Sequence, residues 1–143
     1  MAFTRLCTLL RCNKGLAALE FAVLAPVLLM LAFSVIVYSI YFTTLYGVRQ
    51  ASSEGARAAL AGLSSAERST LAQERAQEVA ESFRAIVGGN NAFVVETQSE
   101  GSEVFKVTVS YDMSGSPIMN YAGFIPLPSS TVEATTRVTN GSY

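Results

Sequence analysis

The hydrophobic pattern of the chain divides it near residue 50. About 28 consecutive residues, Phe21 to Val48, carry no charge, and a helix of that length is roughly 42 Å long. Because roughly 20 apolar residues cross a bilayer core, this stretch predicts one membrane span, at about residues 21–46. It lies within a single long helix predicted from Leu16 to about Ala61. Pro26 is the only proline in that helix, and a bilayer tolerates it as a kink.

The second half has helical and then strand periodicity. Ser64 with Glu67 three residues later predicts a capping box, and hence a second helix that runs to about Val87 and stops at Gly88-Gly89-Asn90-Asn91. Six positions share its apolar stripe: Ala72, Ala76, Val79, Ala80, Phe83 and Val87. Apolar and polar residues then alternate, which predicts strands at 93–97, 105–111 and 132–138. The predicted class is therefore α+β, with a small antiparallel sheet of about three strands.

Two connections complete this outline. Residues 99–102, Ser-Glu-Gly-Ser, have the composition of a turn between the first two strands. The segment 113–130 holds three of the four prolines and is predicted to be a long surface loop.

The residues before the span are basic. Arg5, Arg11 and Lys14 precede it and no acid precedes Glu20, so the positive-inside rule predicts a cytoplasmic N-terminus and a periplasmic C-terminal domain. A removed secretory signal is the alternative. It is disfavoured because apolarity continues through Tyr38 without a small-x-small cleavage site. The predicted domains are a leader at 1–15, the long helix at 16–61 and an exported α+β domain at 62–143.

Both cysteines of the chain lie in this leader. Cys7 and Cys12 precede the span, on the side predicted to be reducing, so no disulfide is expected. Lipid attachment at Cys12 is disfavoured because Arg11 precedes it and no long apolar segment comes before it.

The start of the long helix carries a processing pattern. Gly15 allows a close backbone approach to a protease, and the basic residues before it hold the leader at an anionic surface. A cut there frees the amine of Leu16, and Glu20 follows four residues later, directly before Phe21. A carboxylate near hydrocarbon is costly unless it is paired, and the candidate partners are that amine and the amine of a neighbouring subunit. By itself, Glu20 is better explained as an acid favoured at a helix start, and only the combination with Gly15, Phe21, the basic leader and the long apolar helix favours processing.

These residues resemble a known family. Gly15, Glu20-Phe21 and the following Ala-Val-Leu-Ala-Pro, together with the blocks at 46–51 and 54–59, are similar to the TadE-like minor pilins, or pseudopilins, of tight-adherence (Tad) secretion systems. The family motif after the span corresponds to Arg49, Gln50, Glu54, Gly55 and Arg57. The resemblance covers roughly residues 14–61. The C-terminal half is similar only in its short alternating strands, which form a variable sheet in the family.

The resemblance implies a pilin-like fold and cleavage after Gly15 by a prepilin peptidase. It also implies that the chain initiates, tips or regulates a Flp-type (type IVc-like) pilus. The implied partners are that peptidase, other minor pilins, the major Flp pilin, the inner-membrane assembly platform and membrane lipid. Leu16 is not aromatic, which favours the Tad branch over type II secretion. The major Flp pilin is much shorter, so the chain is expected to be a minor subunit with roles in secretion and cell adhesion.

Small residues recur after the span. The candidate helix-packing residues are Pro26, Gly47, Ala51, Gly55 and Ala59. The last four are spaced by four, so they form a row that lets another backbone approach closely. The row is either a docking seam for a partner pilin helix or a surface that packs on this chain's own sheet, and the second alternative is favoured.

Composition argues against several other functions. The chain has no histidine, which removes His-based catalysis and metal sites, and no glycine-rich phosphate loop follows a strand. The acids of the second helix alternate with Arg68, Arg75 and Arg84, as on a solvated, salt-bridged face. A net charge of −1 without a basic run does not suggest that the chain binds nucleic acid.

We expect no enzymatic activity, no catalytic residues, no metal and no cofactor. The main rival is an unprocessed, membrane-anchored periplasmic scaffold or binding module of the same machinery. A secreted enzyme is weaker still.

Overall fold

The computed structural model describes residues 13–88, 90–100, 104–121, 126 and 129–139. The helices are α1 (Asn13–Ala59), α2 (Ser65–Ser82) and α3 (Arg84–Val87), and the strands are β1 (Val94–Glu100), β2 (Val104–Asp112) and β3 (Thr131–Thr139). This arrangement confirms the predicted α+β class, with a long N-terminal helix, a second helix and a three-stranded antiparallel sheet. The predicted leader before residue 13, including Cys7 and Cys12, lies outside the described residues.

The chain forms two compact units, residues 1–37 and residues 38–143. The described part of the first unit belongs to α1, and most of its apolar side chains are exposed: Phe21 is 71% and Leu28 is 62% accessible, whereas Val37 at its end is buried. By length and composition, one described helix could cross a membrane, over Leu16–Ala59, with a mean hydropathy of 2.5 in its most apolar window. Water is a poor solvent for such a surface, so it requires lipid or other helices around it.

The second unit is built on a sheet with one buried face. Its strand order is β1-β2-β3, and Val107 on β2 stands opposite Thr97 on β1 and Thr136 on β3. Every second residue of β2 is buried: Phe105, Val107, Val109 and Tyr111. The period of two predicted for this strand is thus the period with which it faces the core.

The helices of the second unit meet through small residues. Ala72, Ala76 and Ala80 of α2 are fully buried, as are Ala51 and Ala56 of α1. Short side chains let two backbones come close, and Cγ1 of Val107 on the sheet lies 3.4 Å from the position of a Cβ built on Gly55.

The second helix is shorter than predicted. We expected one helix to about Val87, but α2 ends at Ser82, Phe83 is a turn, and α3 follows. The hydroxyl of Ser82 donates to the Val79 carbonyl at 2.6 Å, while the Phe83 N–H donates to Ala80 at 3.1 Å. A side-chain hydroxyl thus occupies the carbonyl that the next helical N–H would have used. Gly88 then stops α3 at φ +64°, a conformation that glycine adopts without strain.

The prediction for residues 113–130 was wrong in its first part. Residues Met113–Gly115 and Pro117–Tyr121 form short 3₁₀ helices, and Met113 and Ile118 are buried. The Met113 N–H donates to Ser130 at 2.7 Å, which closes the segment on itself. This stretch therefore contributes Met113 and Ile118 to the core, although other residues between and after them are exposed.

The strands begin and end close to their predicted positions. The first strand extends to Glu100, into residues that were expected to form a turn, whereas the remainder of that turn lies outside the described residues. β2 and β3 each exceed the predicted limits by one residue at either end.

Candidate functional site

The predicted cleavage position lies at the beginning of α1. Gly15 is in helical conformation two residues after the helix starts at Asn13. Leu16 and Phe21 are 60% and 71% accessible. A protease binds extended backbone, and the first turn of a helix has few internal hydrogen bonds to lose. Local unwinding would thus expose the Gly15–Leu16 bond.

Glu20 lies on an apolar helix surface. Its side chain borders a shallow groove together with Leu19, Val23 and Leu24. Within the described part of the chain, no lysine or arginine forms a salt bridge with it. The carboxylate is thus a lone acid beside apolar side chains and suited to pair with an ammonium group supplied from elsewhere.

Pro26 lies inside α1 and does not end it. The residue is exposed among other exposed apolar residues. Proline has no N–H, so the carbonyl of Ala22 lacks its usual partner in the helix.

The row of small residues lies inside the second unit. A Cβ built on Gly55 would be 2.8 Å from the carbonyl oxygen of Ala72 and 2.9 Å from the Cβ of Ala76. One built on Gly47 would be 2.8 Å from Cγ of Phe83. Ala51 and Ala59 are buried as well. Of the two alternatives, the structure shows the internal one, although the main neighbour is α2 and not the sheet.

The other residues of the family motif differ in their exposure. Arg49 and Gln50 are exposed, and Glu54 lies 3.9 Å from Arg57 in a solvent-facing pair. Such a pair contributes little to stability, in the range of about 0–1 kcal/mol. Arg49 and Gln50 are thus on the surface of the unit, whereas Gly55 packs against α2 in its interior.

One polar contact between α1 and the sheet was not predicted. The hydroxyl of Ser52 lies 2.9 Å from that of Thr136 on β3, and Ser52 is buried. The position of Ser52 beside the small-residue row was the only hint in the sequence, because an internal hydroxyl is expected to find a partner.

The charged face of α2 is organised by ion pairs. Arg75 binds Glu78 at 2.7 Å, Arg84 pairs with Glu81, and the Arg68 guanidinium donates to the Gly62 carbonyl at 2.9 Å. The Arg84 hydrogen bond lowers the pKa of the Glu81 carboxyl. Among the described residues, no group of three or more potential metal ligands is present.

Two further titratable groups lie near the sheet's end. The backbone N–H and the hydroxyl of Ser114 donate to Asp112 and lower the pKa of its carboxyl. Burial raises the pKa of the Tyr111 phenol, whose hydroxyl donates to the Gly88 carbonyl at 3.0 Å. Both groups have structural partners, which fits a packing role.

A family model described as "TadE-like protein" matches residues 15–57. The match begins at the predicted cleavage residue and ends within α1, and it confirms the predicted resemblance over this segment. It supports involvement in Tad pilus systems, in association with other components of the pilus. Together with the apolar helix, it suggests a single-pass membrane protein. No curated protein and no solved structure matches the chain.

Proposed function

We propose that the chain is a minor pilin, or pseudopilin, that initiates, tips or regulates assembly of a Tad pilus after a prepilin peptidase has cut it behind Gly15. The main support is the TadE-like match over residues 15–57. These residues lie in a helix whose N-terminal half exposes its apolar side chains. A helix of this kind requires lipid before assembly and neighbouring helices after it.

Cleavage and assembly are linked through Glu20. The cut frees the amine of Leu16, which lies about 6 Å from Glu20 along the helix axis. In the bilayer the carboxylate pairs with this amine, or with that of a neighbouring subunit. Because an unpaired carboxylate is costly in hydrocarbon, a helix that slides along its neighbours stops where the pair forms. Glu20 thus sets the axial position of the subunit.

The two units have different roles in this proposal. The helix is the assembly element shared with other minor pilins and the major Flp pilin, and the inner-membrane platform extracts it from the lipid. The α+β unit determines which partners the subunit recognises. Nothing in this role requires catalysis, a cofactor, a metal or nucleic acid.

The test is the mass and N-terminal sequence of the protein from cell envelopes, with and without the peptidase. We expect a mature chain that starts at Leu16. The Gly15→Leu variant is expected to start at Met1, because a side chain at this position blocks the close approach of the backbone. Glu74→Gln, a change on the exposed face of α2, is the control that leaves cleavage intact.

The same experiment separates the proposal from its rival. A chain that starts at Met1 while the peptidase is active contradicts the pilin proposal. It would instead support a membrane-anchored periplasmic scaffold or binding module that keeps its leader.

A further inference from the structure

Large apolar side chains are exposed at the start of the second unit. We define the apolar cluster as Phe42, Tyr46, Phe83 and Ile86. Phe42, Tyr46 and Ile86 are 60%, 62% and 55% accessible, and Phe83 is half-buried. The ring centroids of Tyr46 and Phe83 are 6.2 Å apart, and the rings meet edge to face at 71°. Ile86 lies on α3 three residues after Phe83, and its N–H donates to the Phe83 carbonyl at 3.0 Å, so it is the next exposed apolar residue after the ring that contacts α1.

A glycine holds the two halves of the cluster together. A Cβ on Gly47 would be 2.8 Å from Cγ and 3.0 Å from Cδ2 of the Phe83 ring. Without that atom, the ring lies directly against α1, next to Tyr46. Phe83 is therefore at the same level along α1 as Tyr46, and Ile86 follows it on α3.

Tyr46 and the Phe83 ring beside it are near the C-terminal end of the uncharged stretch of α1. That stretch, Phe21 to Val48, is roughly 42 Å long as a helix, whereas a bilayer core is about 30 Å thick. The uncharged helix is therefore about 12 Å longer than the bilayer core, so its last residues extend into the headgroup region. Tyr38, Phe42 and Tyr46 are spaced by four and lie on one face of α1, about 6 Å apart along its axis. The next charge, Arg49, is exposed one turn later.

The polar groups near the cluster tolerate a low-dielectric environment. The hydroxyls of Thr43 and Thr44 donate to carbonyls four residues earlier, at 2.8 and 2.9 Å. Glu81 and Arg84 flank Phe83 in the sequence and pair with each other. The cluster thus has apolar side chains, one phenol hydroxyl and no charge of its own, which is a composition found at membrane–water interfaces.

We propose that the apolar cluster lies in the lipid–water interface of the periplasmic leaflet and holds the globular unit against the membrane. Lipid is favoured over a protein partner because the sequence carries no charge from Phe21 to Val48, so none lies between the predicted span and the α1 residues of the cluster. The inference rests on the membrane insertion that is part of the proposed function. It adds that Phe83 and Ile86, outside the spanning helix, bind the same bilayer.

The test uses quenching of tryptophan fluorescence by brominated lipids. The chain contains no tryptophan, so each single substitution provides one reporter. The full chain is reconstituted in phosphatidylcholine vesicles with bromine near the headgroup end of the acyl chains. Ile86→Trp is the deciding variant, because position 86 is not on α1. Leu63→Trp is its matched control, because Leu63 is 92% accessible and follows the end of α1. The axis of α1 extends about 20 Å beyond Tyr46 by Ala59.

We expect emission from Ile86→Trp to fall at least twofold in brominated vesicles and emission from Leu63→Trp to stay unchanged. Phe33→Trp, near the middle of the predicted span, reports insertion in a second set of vesicles that carry bromine near the methyl end of the acyl chains. Quenching at Phe33→Trp without quenching at Ile86→Trp would overturn the inference and leave the proposed function intact. Absence of quenching at Phe33→Trp would overturn the membrane insertion on which both depend. A circular dichroism spectrum equal to that of the parent chain is required of every variant.

Discussion

Gly55 shows how one missing side chain fixes the distance between two helices. Its hydrogen atoms face the carbonyl oxygen of Ala72 and the methyl group of Ala76, and any Cβ would lie under 3.0 Å from both. The nearest atom is backbone of α2, which cannot rotate away as a side chain can. In an isolated helix, alanine would be favoured over glycine by about 1 kcal/mol, so the contact and not helix propensity accounts for the glycine.

We predict that Gly55→Ala destabilises the globular unit by about 1–3 kcal/mol, because α2 must move to admit the methyl group. The measurement is the thermal unfolding midpoint of the full chain in detergent, followed by near-ultraviolet circular dichroism of its tyrosines. Ser53→Ala, two residues away on the exposed face of α1, is the control and is expected to change stability by less than about 0.5 kcal/mol. An unchanged or higher midpoint for Gly55→Ala would contradict this account of the helix contact.

Among the elements, α2 illustrates how a local sequence signal determines a helix start. The hydroxyl of Ser64 accepts a hydrogen bond from the N–H of Glu67 at 3.2 Å. The Glu67 carboxylate accepts from the N–H of Leu63 at 2.9 Å, one residue before the position used in a standard capping box. Two N–H groups at the helix start are satisfied in this way.

Loss of this cap gives the second prediction. Ser64→Ala is expected to destabilise the unit by about 0.5–2 kcal/mol, since the N–H of Glu67 loses its acceptor. Ser65→Ala is the matched control, because Ser65 is the first helical residue and is exposed. Thermal unfolding of the two variants, side by side, measures the difference. Equal midpoints for both would show that the Ser64 hydroxyl does not stabilise the helix start.

The sequence predicted those elements whose signals are local. The uncharged run identified α1, alternation identified β2, and Ser64 identified the start of α2. The break at Phe83 was missed because it depends on the Ser82 hydroxyl and on a glycine 36 positions earlier. The buried part of 113–121 was missed for a similar reason: proline content suggested a loop, whereas the contacts of Ser116 with Val87 and of Met113 with Ser130 are made across the sheet's end.

At the scale of the whole molecule, the predicted orientation across the membrane can be measured with the two native cysteines, Cys7 and Cys12. Both cysteines precede the predicted cleavage position, so a processed chain has no thiol, while an unprocessed one has two. In the uncleaved Gly15→Leu variant, Cys7 and Cys12 mark the N-terminal side of the membrane. Leu63→Cys marks the other side, because Leu63 follows α1 and is 92% accessible.

We predict that a membrane-impermeant maleimide added to spheroplasts labels Gly15→Leu/Leu63→Cys at one thiol, and at three after the inner membrane is permeabilised. The reason is the basic leader, which the positive-inside rule holds in the cytoplasm. A mass shift on a gel counts the adducts, and the Gly15→Leu chain without Leu63→Cys is the control, expected to gain none before permeabilisation. Two adducts on that control in intact spheroplasts would place the leader outside. That orientation is incompatible with cleavage at the cytoplasmic surface. The same observation would therefore also contradict the proposal that the chain is a pilin whose leader is removed before assembly.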